Sequence, residues 1–360
     1  MQFGLFDHID RSTDRPLAQQ YDERLELVAA ADAAGFYAYH LAEHHATPLN
    51  TTPIPGVFLG AVARLTKRIR MGPMVYLVPL YSPLRLIEEI AILDHLSHGR
   101  MEVGVGRGVS PFELNFHNVD PEKSRDIFID GYECLIEGLT HDRLTHHGAY
   151  FNYDDVPMML RPLQQPHPAM WYGSSNTIGS NWSGEHGLHF ATNGPNDRAK
   201  VNIDAYVAAL AQRPTGVTKP KHEFAGGAAI GISRQVVVAD TMADARRIAE
   251  PAHVHIHNNQ TYLRRESVRR ASMKGDPNYG NTPASADFNK AVAEGSTIAG
   301  TPEVVRAEIE RQIESLGINY LICYFMFGNM TLADALHSLD LFATEVKPKF
   351  TADAAAAVRR

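Results

Sequence analysis

The chain has 360 residues, 44% of them hydrophobic and 21% charged, enough for a large buried core. Its formal charge of −7 and pI near 6.2 argue against long-range attraction to nucleic acid or anionic membrane. Cys134 and Cys323 stand far apart and outside any metal-type spacing, which excludes a disulfide framework or a zinc ribbon.

Met1-Gln2-Phe3-Gly4-Leu5-Phe6-Asp7 has no basic run and no long apolar segment, so it reads as a first strand and not as a signal peptide. No apolar stretch is long enough to span a bilayer, and a cytoplasmic location is the default expectation. A strand at 3–8 leads to a helix at 17–34, with Leu17, Tyr21, Leu25 and Val28 on one face and Gly35 just past its end. A strand at 36–42 and a helix at 55–66 follow. The third strand, 69–76, contains Gly72 and Pro73, which points to a bulge or special geometry. A helix at 83–97, a strand at 101–106 and helical sequence at 121–139 continue the alternation.

Residues 141–167, rich in His, Asp and Pro, break the rhythm as an excursion with a short hairpin. Strand 169–173, helix 176–186, strand 188–193 and helix 197–212 restore it. A β-rich segment at 226–238 ends at Asp240-Thr241, which caps a helix from about 242. Residues 267–298 show little periodicity and read as either a functional loop or a disordered segment. Thr301 and Pro302 open the next helix, 318–325 is the last strand, and 331–347 is the closing helix. This count of βα units predicts an α/β fold, a single (β/α)8 TIM barrel over 1–360, with a doubly wound open sheet as the alternative.

Glu43-His44-His45 closes the second strand. An acid and two imidazoles are costly in a core, and strand C-terminal ends are where such barrels place their chemistry. The bland alternative is a His that caps a helix or meets a backbone carbonyl. Gly104-Val105-Gly106-Arg107-Gly108 lacks dinucleotide-fingerprint spacing. It reads either as a closely approached backbone beside a phosphate-binding guanidinium or as a turn with a surface Arg. Gly173-Ser174-Ser175-Asn176-Thr177 opens a helix, as an anion site or as an ordinary cap. Loops four and five are neighbours in a barrel, so Arg107 and the Ser174–Thr177 cluster can share one phosphate.

His253, His255 and His257 would share a face on a strand, but they fall on a helix, where only His253 and His257 could converge, so no metal site is expected. His146-His147 reads as solvated. Arg264, Arg265, Arg269, Arg270 and Lys274 form either a solvated helix face or part of a lid that meets an anion. The aromatic run around 320–327 fits a last barrel strand and its mouth, read first as core, with Tyr324 and Phe327 as the alternative pocket walls.

These segments converge. The chain resembles the bacterial luciferase-like, flavin-dependent monooxygenases over nearly its whole length. The resemblance rests on Met1–Phe6; on Ala31–Phe36 leading into Ala42-Glu43-His44-His45; and on Leu93–Arg100 running into Gly104–Gly108. Val238–Thr241, Ala299–Pro302 and Leu341–Pro348 extend it. It implies a barrel that binds reduced FMN at its C-terminal face, with a separate NAD(P)H–flavin reductase as partner and O₂ and a small organic molecule as substrates. The catalytic imidazole falls on His44, which would stabilise a flavin peroxide or act as acid or base. The phosphate-gripping Arg falls on Arg107, completed by Ser174, Ser175 and Thr177. The flavin is further expected to touch Val109 and to lie over a non-prolyl cis bond at Met74–Val75. The luciferase's reactive Cys is Gly106 here, its acidic residue after strand five is Ser174, and a tryptophan near the flavin edge is replaced around Ala191, so light emission is not implied.

The substrate pocket is expected to include Phe6, His8, Tyr76, Asn193 and Tyr324, compatible with aldehydes, terpenes, sulfur compounds or heteroaromatics. Residues 267–298 occupy the position of the family's active-site lid. A homodimer through helices near the second and third strands is expected. A deazaflavin-dependent dehydrogenase, a flavin-binding protein without turnover and a barrel metallohydrolase are the competing readings. The last lacks a His-x-His at the end of strand one.

Overall fold

The first helix spans Leu17–Ala33 and stops where Gly35 takes a φ of 71°, a left-handed turn that a side chain disfavours. The chain then re-enters the interior as a strand, and this alternation repeats around the molecule. The computed structural model describes residues 1–213, 221, 223–279 and 285–350. Its strands are Gln2–Asp7 (β1), Ala38–Leu41 (β2), Arg70–Pro73 (β3), Tyr76–Leu77 (β4), Glu102–Gly106 (β5), Arg143–His147 (β6), Asn152–Pro157 (β7), Ala169–Gly173 (β8), His189–Thr192 (β9), Ile230–Val238 (β10), Thr297–Gly300 (β11) and Tyr320–Tyr324 (β12).

Parallel pairing runs β3-β2-β1-β12-β10-β9-β8-β5-β4. β3 and β4 are two halves of one strand, parted at the cis bond Met74–Val75, and a parallel bridge between Met71 and Met101 brings the ends together. The sheet is therefore a nearly closed barrel with helices outside, and the open-sheet alternative is excluded. β11 adds a parallel strand against Val238 and its three predecessors. β6 and β7 form an antiparallel hairpin off the barrel, within the excursion at 141–167.

The structure departs from the sequence reading in a few places. Pro111–Phe116 is a helix that apolar periodicity did not signal, being little more than one turn long. The stretch 267–298 contains the helix Phe288–Ala293 and the start of β11, and its residues 280–284 lie outside the described residues. His146 is not solvated: its Nε2 lies 2.6 Å from Oδ1 of Asp130, whose other oxygen accepts from the Tyr150 and Phe151 N–H groups. A carboxylate holding that turn gives the imidazole a partner. His253, His255 and His257 do lie on one helix, Met242–Gln260, and no metal-ligand cluster occurs among the described residues.

Large residues plug the N-terminal end of the barrel. Trp171 is fully buried and donates its indole N–H to Glu102 at 2.5 Å. Burial alone would neutralise Glu102, but Arg70 and Lys221 outweigh it and hold its carboxyl at about 2. Burial pushes His40 and His189, on either side of Trp171, down to about 4, so both rings are neutral. With that end sealed, ligand access falls to the C-terminal mouth. Cys134 and Cys323 are buried thiols, and no helix among the described residues is long and apolar enough to cross a membrane.

Candidate active site

A cleft opens at the C-terminal ends of the strands, enclosing about 1190 Å³ with the space at its mouth included. Phe6 and His8 reach it from β1, His44 from β2, and Met74 and Val75 from the break between β3 and β4. Arg107 and Val109 follow β5, Ser174 and Ser175 follow β8, and Asn193 follows β9. The residues singled out from separate segments of the sequence thus meet at one mouth. Three do not line the cleft. Tyr76 is fully buried and donates its hydroxyl to Glu89 at 2.8 Å, on the helix side of the barrel wall. Tyr324 lies behind Phe6 and His8 and gives its hydroxyl to Asp10 at 2.8 Å. Thr177 begins the helix Thr177–Glu185, one residue beyond the cleft's edge at Asn176.

The Glu43-His44-His45 triplet is organised by carboxylates. Nδ1 of His44 lies 3.3 Å from Oε1 of Glu113, while the His45 N–H donates to the other oxygen of Glu113 at 2.9 Å. Glu43 faces His45 Nε2 at 2.9 Å and accepts from the Leu77 N–H and the Tyr81 hydroxyl. Burial disfavours a charged ring at His44, but the Glu113 carboxylate outweighs it and raises the imidazole above its usual range. The same pairing lowers Glu113 against its own burial. His8 stacks near His44, with centroids 5.5 Å apart, and burial together with the charge on His44 drives it well below the ordinary value. One neutral and one readily protonated imidazole therefore stand side by side. Nδ1 of His8 is buried without a partner among the described residues.

Glu113 is the functional residue that the sequence reading missed. Its signal was present: Ser110-Pro111-Phe112-Glu113 is an N-cap, a first-position Pro and an acid at the third helical position. Ser110 accepts from the Glu113 N–H at 3.4 Å, but the Glu113 carboxylate turns to the histidines and not back to the cap.

Across the cleft, Arg107 donates to the Ser124 hydroxyl at 3.1 Å and meets no carboxylate among the described residues. An unneutralised guanidinium beside a helix N-terminus suits a phosphate. The Ser174 hydroxyl is already engaged, donating to the Asn176 carbonyl at 2.9 Å, so Ser174 shapes the turn and does not offer a spare proton. Between the two ends, Gly106 lets the strands close up: a Cβ there would stand 2.3 Å from Cγ2 of Val75.

The sequence pattern described as "Luciferase-like monooxygenase" matches residues 1–320. The chain belongs to that family. It is 34% identical to the uncharacterized protein y4wF of Sinorhizobium fredii, over 96% of each chain. It is 26% identical to limonene 1,2-monooxygenase of Rhodococcus erythropolis, over 91% of this chain and 81% of the other. Among solved structures, the monooxygenase RslO1 of Streptomyces bottropensis superposes with a TM-score of 0.83 at 24% identity, covering 97% of this chain and all of its own. The FMN complex of the oxygenating constituent of 3,6-diketocamphane monooxygenase from Pseudomonas putida gives 0.77 at 21%, covering 97% and 98%. The coenzyme F420-dependent tetrahydromethanopterin reductase of Methanopyrus kandleri gives 0.70 at 18%, covering 97% and 99%. These likenesses establish a shared barrel, and the family membership makes the chain a flavin-dependent monooxygenase.

Proposed function

We propose that this luciferase-like monooxygenase is the oxygenase of a two-component system, receiving reduced FMN from a separate NAD(P)H–flavin reductase and oxygenating a small organic substrate. The observation that carries the reading is the pairing, in one cleft, of a carboxylate-backed imidazole at His44 with a guanidinium at Arg107 that lacks any counter-charge among the described residues. Both poles fit a flavin: a cation for the phosphate, and a wall of Met74, Val75 and Leu77 suited to a flat ring. When bound, the reduced flavin supplies the two electrons that activate O₂.

The chain's own residues do the rest. Arg107 and the turn at Ser174 and Ser175 hold the phosphate. Glu113 takes up Nδ1 of His44 and so directs Nε2 into the cleft, where a proton is held for the substrate oxygen or its neighbour. Phe6, Leu114 and Ile322 exclude water. Asn193 and Ser233 offer polar groups to orient a substrate. Residues 270–279 support the lid role: Asn115 donates to the Lys274 carbonyl at 2.7 Å, and Tyr279 meets Phe112 edge-on. This segment therefore rests on the helix that carries Glu113. Arg264 stacks on the Tyr279 ring at 4.3 Å, so part of the basic run anchors the segment. A cytoplasmic location fits two buried thiols.

The test follows oxygen consumption with chemically reduced FMN across aldehydes, terpenes, sulfur compounds and heteroaromatics. Substrate-dependent uptake with an oxygenated product is expected, and His44→Ala should lower product formation by roughly 10²–10⁴-fold. Product formation at the wild-type rate in that variant would remove His44 from the mechanism. Anaerobic hydride transfer with a deazaflavin, and no oxygen uptake with FMN, would establish the dehydrogenase instead.

A further inference from the structure

Asp10 is a buried acid, 1% exposed, that stands behind the cleft and does not line it. It follows the end of β1 at Asp7, and the turn that sends it inward passes through Ile9. Ile9 is fully buried at a φ of 48°, a left-handed conformation that a β-branched side chain resists. Strain of that kind persists only where the surroundings enforce it. Here the N–H and the hydroxyl of Thr51 clamp the Ile9 carbonyl at 3.1 and 2.7 Å.

Three donors converge on the Asp10 carboxylate among the described residues. Oδ1 accepts from the Tyr324 hydroxyl at 2.8 Å and from the Gly328 N–H at 3.2 Å. Oδ2 accepts from the same N–H at 3.1 Å and from the Asn259 side-chain amide at 3.1 Å. Burial pushes the carboxyl up to about 6, helped by Asp7 and opposed by Arg24, Tyr324 and Asn259. Arg24 is itself held by Asp7 at 3.0 Å and by the Met326 carbonyl at 3.0 Å. Two buried acids thus share one guanidinium, a costly arrangement for a core.

The donors to Asp10 come from the two sides of the cleft's working parts. Tyr324 ends β12, and its ring lies against Phe6 and His8, with centroids 5.9 and 5.5 Å away, so it backs the cleft floor. Asn259 lies in the last turn of the helix Met242–Gln260. That helix passes at Thr261 into Tyr262–Arg269 and then into 270–279, the segment that rests on the helix of Glu113. His253, on the same long helix, donates to the Ser285 carbonyl at 2.7 Å, so this helix also fastens the chain beyond the segment. No hydrogen bond or ring contact joins Tyr324 directly to 262–279 among the described residues.

Building on the lid role given to 270–279 above, we propose that Asp10 is a positioning residue that joins the floor of the cleft to the root of the lid. Tyr324 enters this tie at one end and Asn259 at the other. The carboxylate fixes their separation, so the lid meets the floor in register only while both bonds hold.

Hydrogen exchange read by mass spectrometry on the full chain, with and without reduced FMN under anaerobic conditions, tests this. Tyr324→Phe keeps the ring and removes only the hydroxyl. It should speed exchange in 262–279 roughly tenfold or more and leave β5 and β8 unchanged. Asp10→Asn should act alike, and if that variant melts too early to be read, Tyr324→Phe still decides. Asn259→Ala frees the root directly, so adding Tyr324→Phe to it should bring no further increase. A purely structural bond would loosen strands and lid alike. Exchange in 262–279 that is unchanged in Tyr324→Phe, or raised equally in β5 and β8, would overturn the tie and leave the lid reading intact, as would additive increases in the double variant. Reduced FMN that binds the wild type without slowing exchange in 262–279 would refute the lid reading, and the role of Asp10 would fall with it.

Discussion

His44 and Glu113 are 69 residues apart in sequence, yet Nδ1 of one lies 3.3 Å from Oε1 of the other, at the mouth of the barrel. The carboxylate raises the imidazole against the pull of burial. Glu113→Gln keeps the shape and removes the charge, so the pKa of His44 should fall and the alkaline limb of the pH–rate profile should move to lower pH. His44→Ala should abolish that limb. The pair also stabilises the fold within a defined window. His44, raised in the folded state, contributes fully below its unfolded pKa, and the contribution is lost as pH rises through the folded value. Glu113, lowered in the folded state, contributes above its unfolded pKa and loses this as pH falls through the folded value. The stability difference between wild type and Glu113→Gln, from denaturant midpoints, should therefore be greatest between these limits. A difference that does not vary with pH would contradict the pairing.

Much of this site was legible before the fold was known, for physical reasons. The barrel follows from strand and helix periodicity repeated along the chain, and a barrel sends every strand end to one mouth. Hence His44, Arg107 and Ser175 could be grouped without coordinates. Position along a strand was harder to judge. Tyr76 and Tyr324 belong to strands that reach the mouth, but each side chain is tied behind the cleft, one by Glu89 and the other by Asp10. Strand alternation fixes such choices, and here the break at Met74–Val75 divides the strand that carries Tyr76. Glu113 was hidden by the brevity of its helix, and His146 by a partner, Asp130, on another element.

Arg107 should govern phosphate affinity and nothing else in the flavin. Its sole hydrogen bond among the described residues goes to a neutral hydroxyl, so its loss breaks no buried ion pair. Arg107→Ala should weaken FMN binding by roughly 10- to 100-fold, in line with a charge-assisted bond of about 1.5–3 kcal/mol. Riboflavin, which has no phosphate, should bind both proteins alike. Titration of the two ligands in parallel checks this, and equal losses for both would show that Arg107 acts elsewhere.

Gly106 is held by close packing. Its missing Cβ leaves room for Val75, whose Cγ2 would stand 2.3 Å from it. Gly106→Ala should destabilise the fold by about 1–3 kcal/mol as the strands are forced apart. Val75→Ala vacates that space, so Gly106→Ala combined with Val75→Ala should cost less than the sum of the single changes. Additive losses in chemical denaturation would show that the wall relaxes by another route.

The outer face suggests a second copy of the chain as partner. Ile54, Val57, Ala61 and Leu65 recur at helical spacing on and just before Pro55–Leu65, and Ile92 and Leu96 do so on Pro83–Leu96. These helices follow the second and third barrel strands and pack against each other. Val57 is 75% exposed and Ile54 55%, so the stripe has no cover among the described residues. Burying each such side chain in an interface stabilises it by about 1.5–3 kcal/mol, and a charge placed there is strongly disfavoured. Light scattering should therefore give wild type a mass near twice 39.8 kDa, and Val57→Glu a mass near 39.8 kDa with an unchanged circular dichroism spectrum. A wild-type protein that stays monomeric at micromolar concentration, or a variant that still pairs, would move the interface away from these helices.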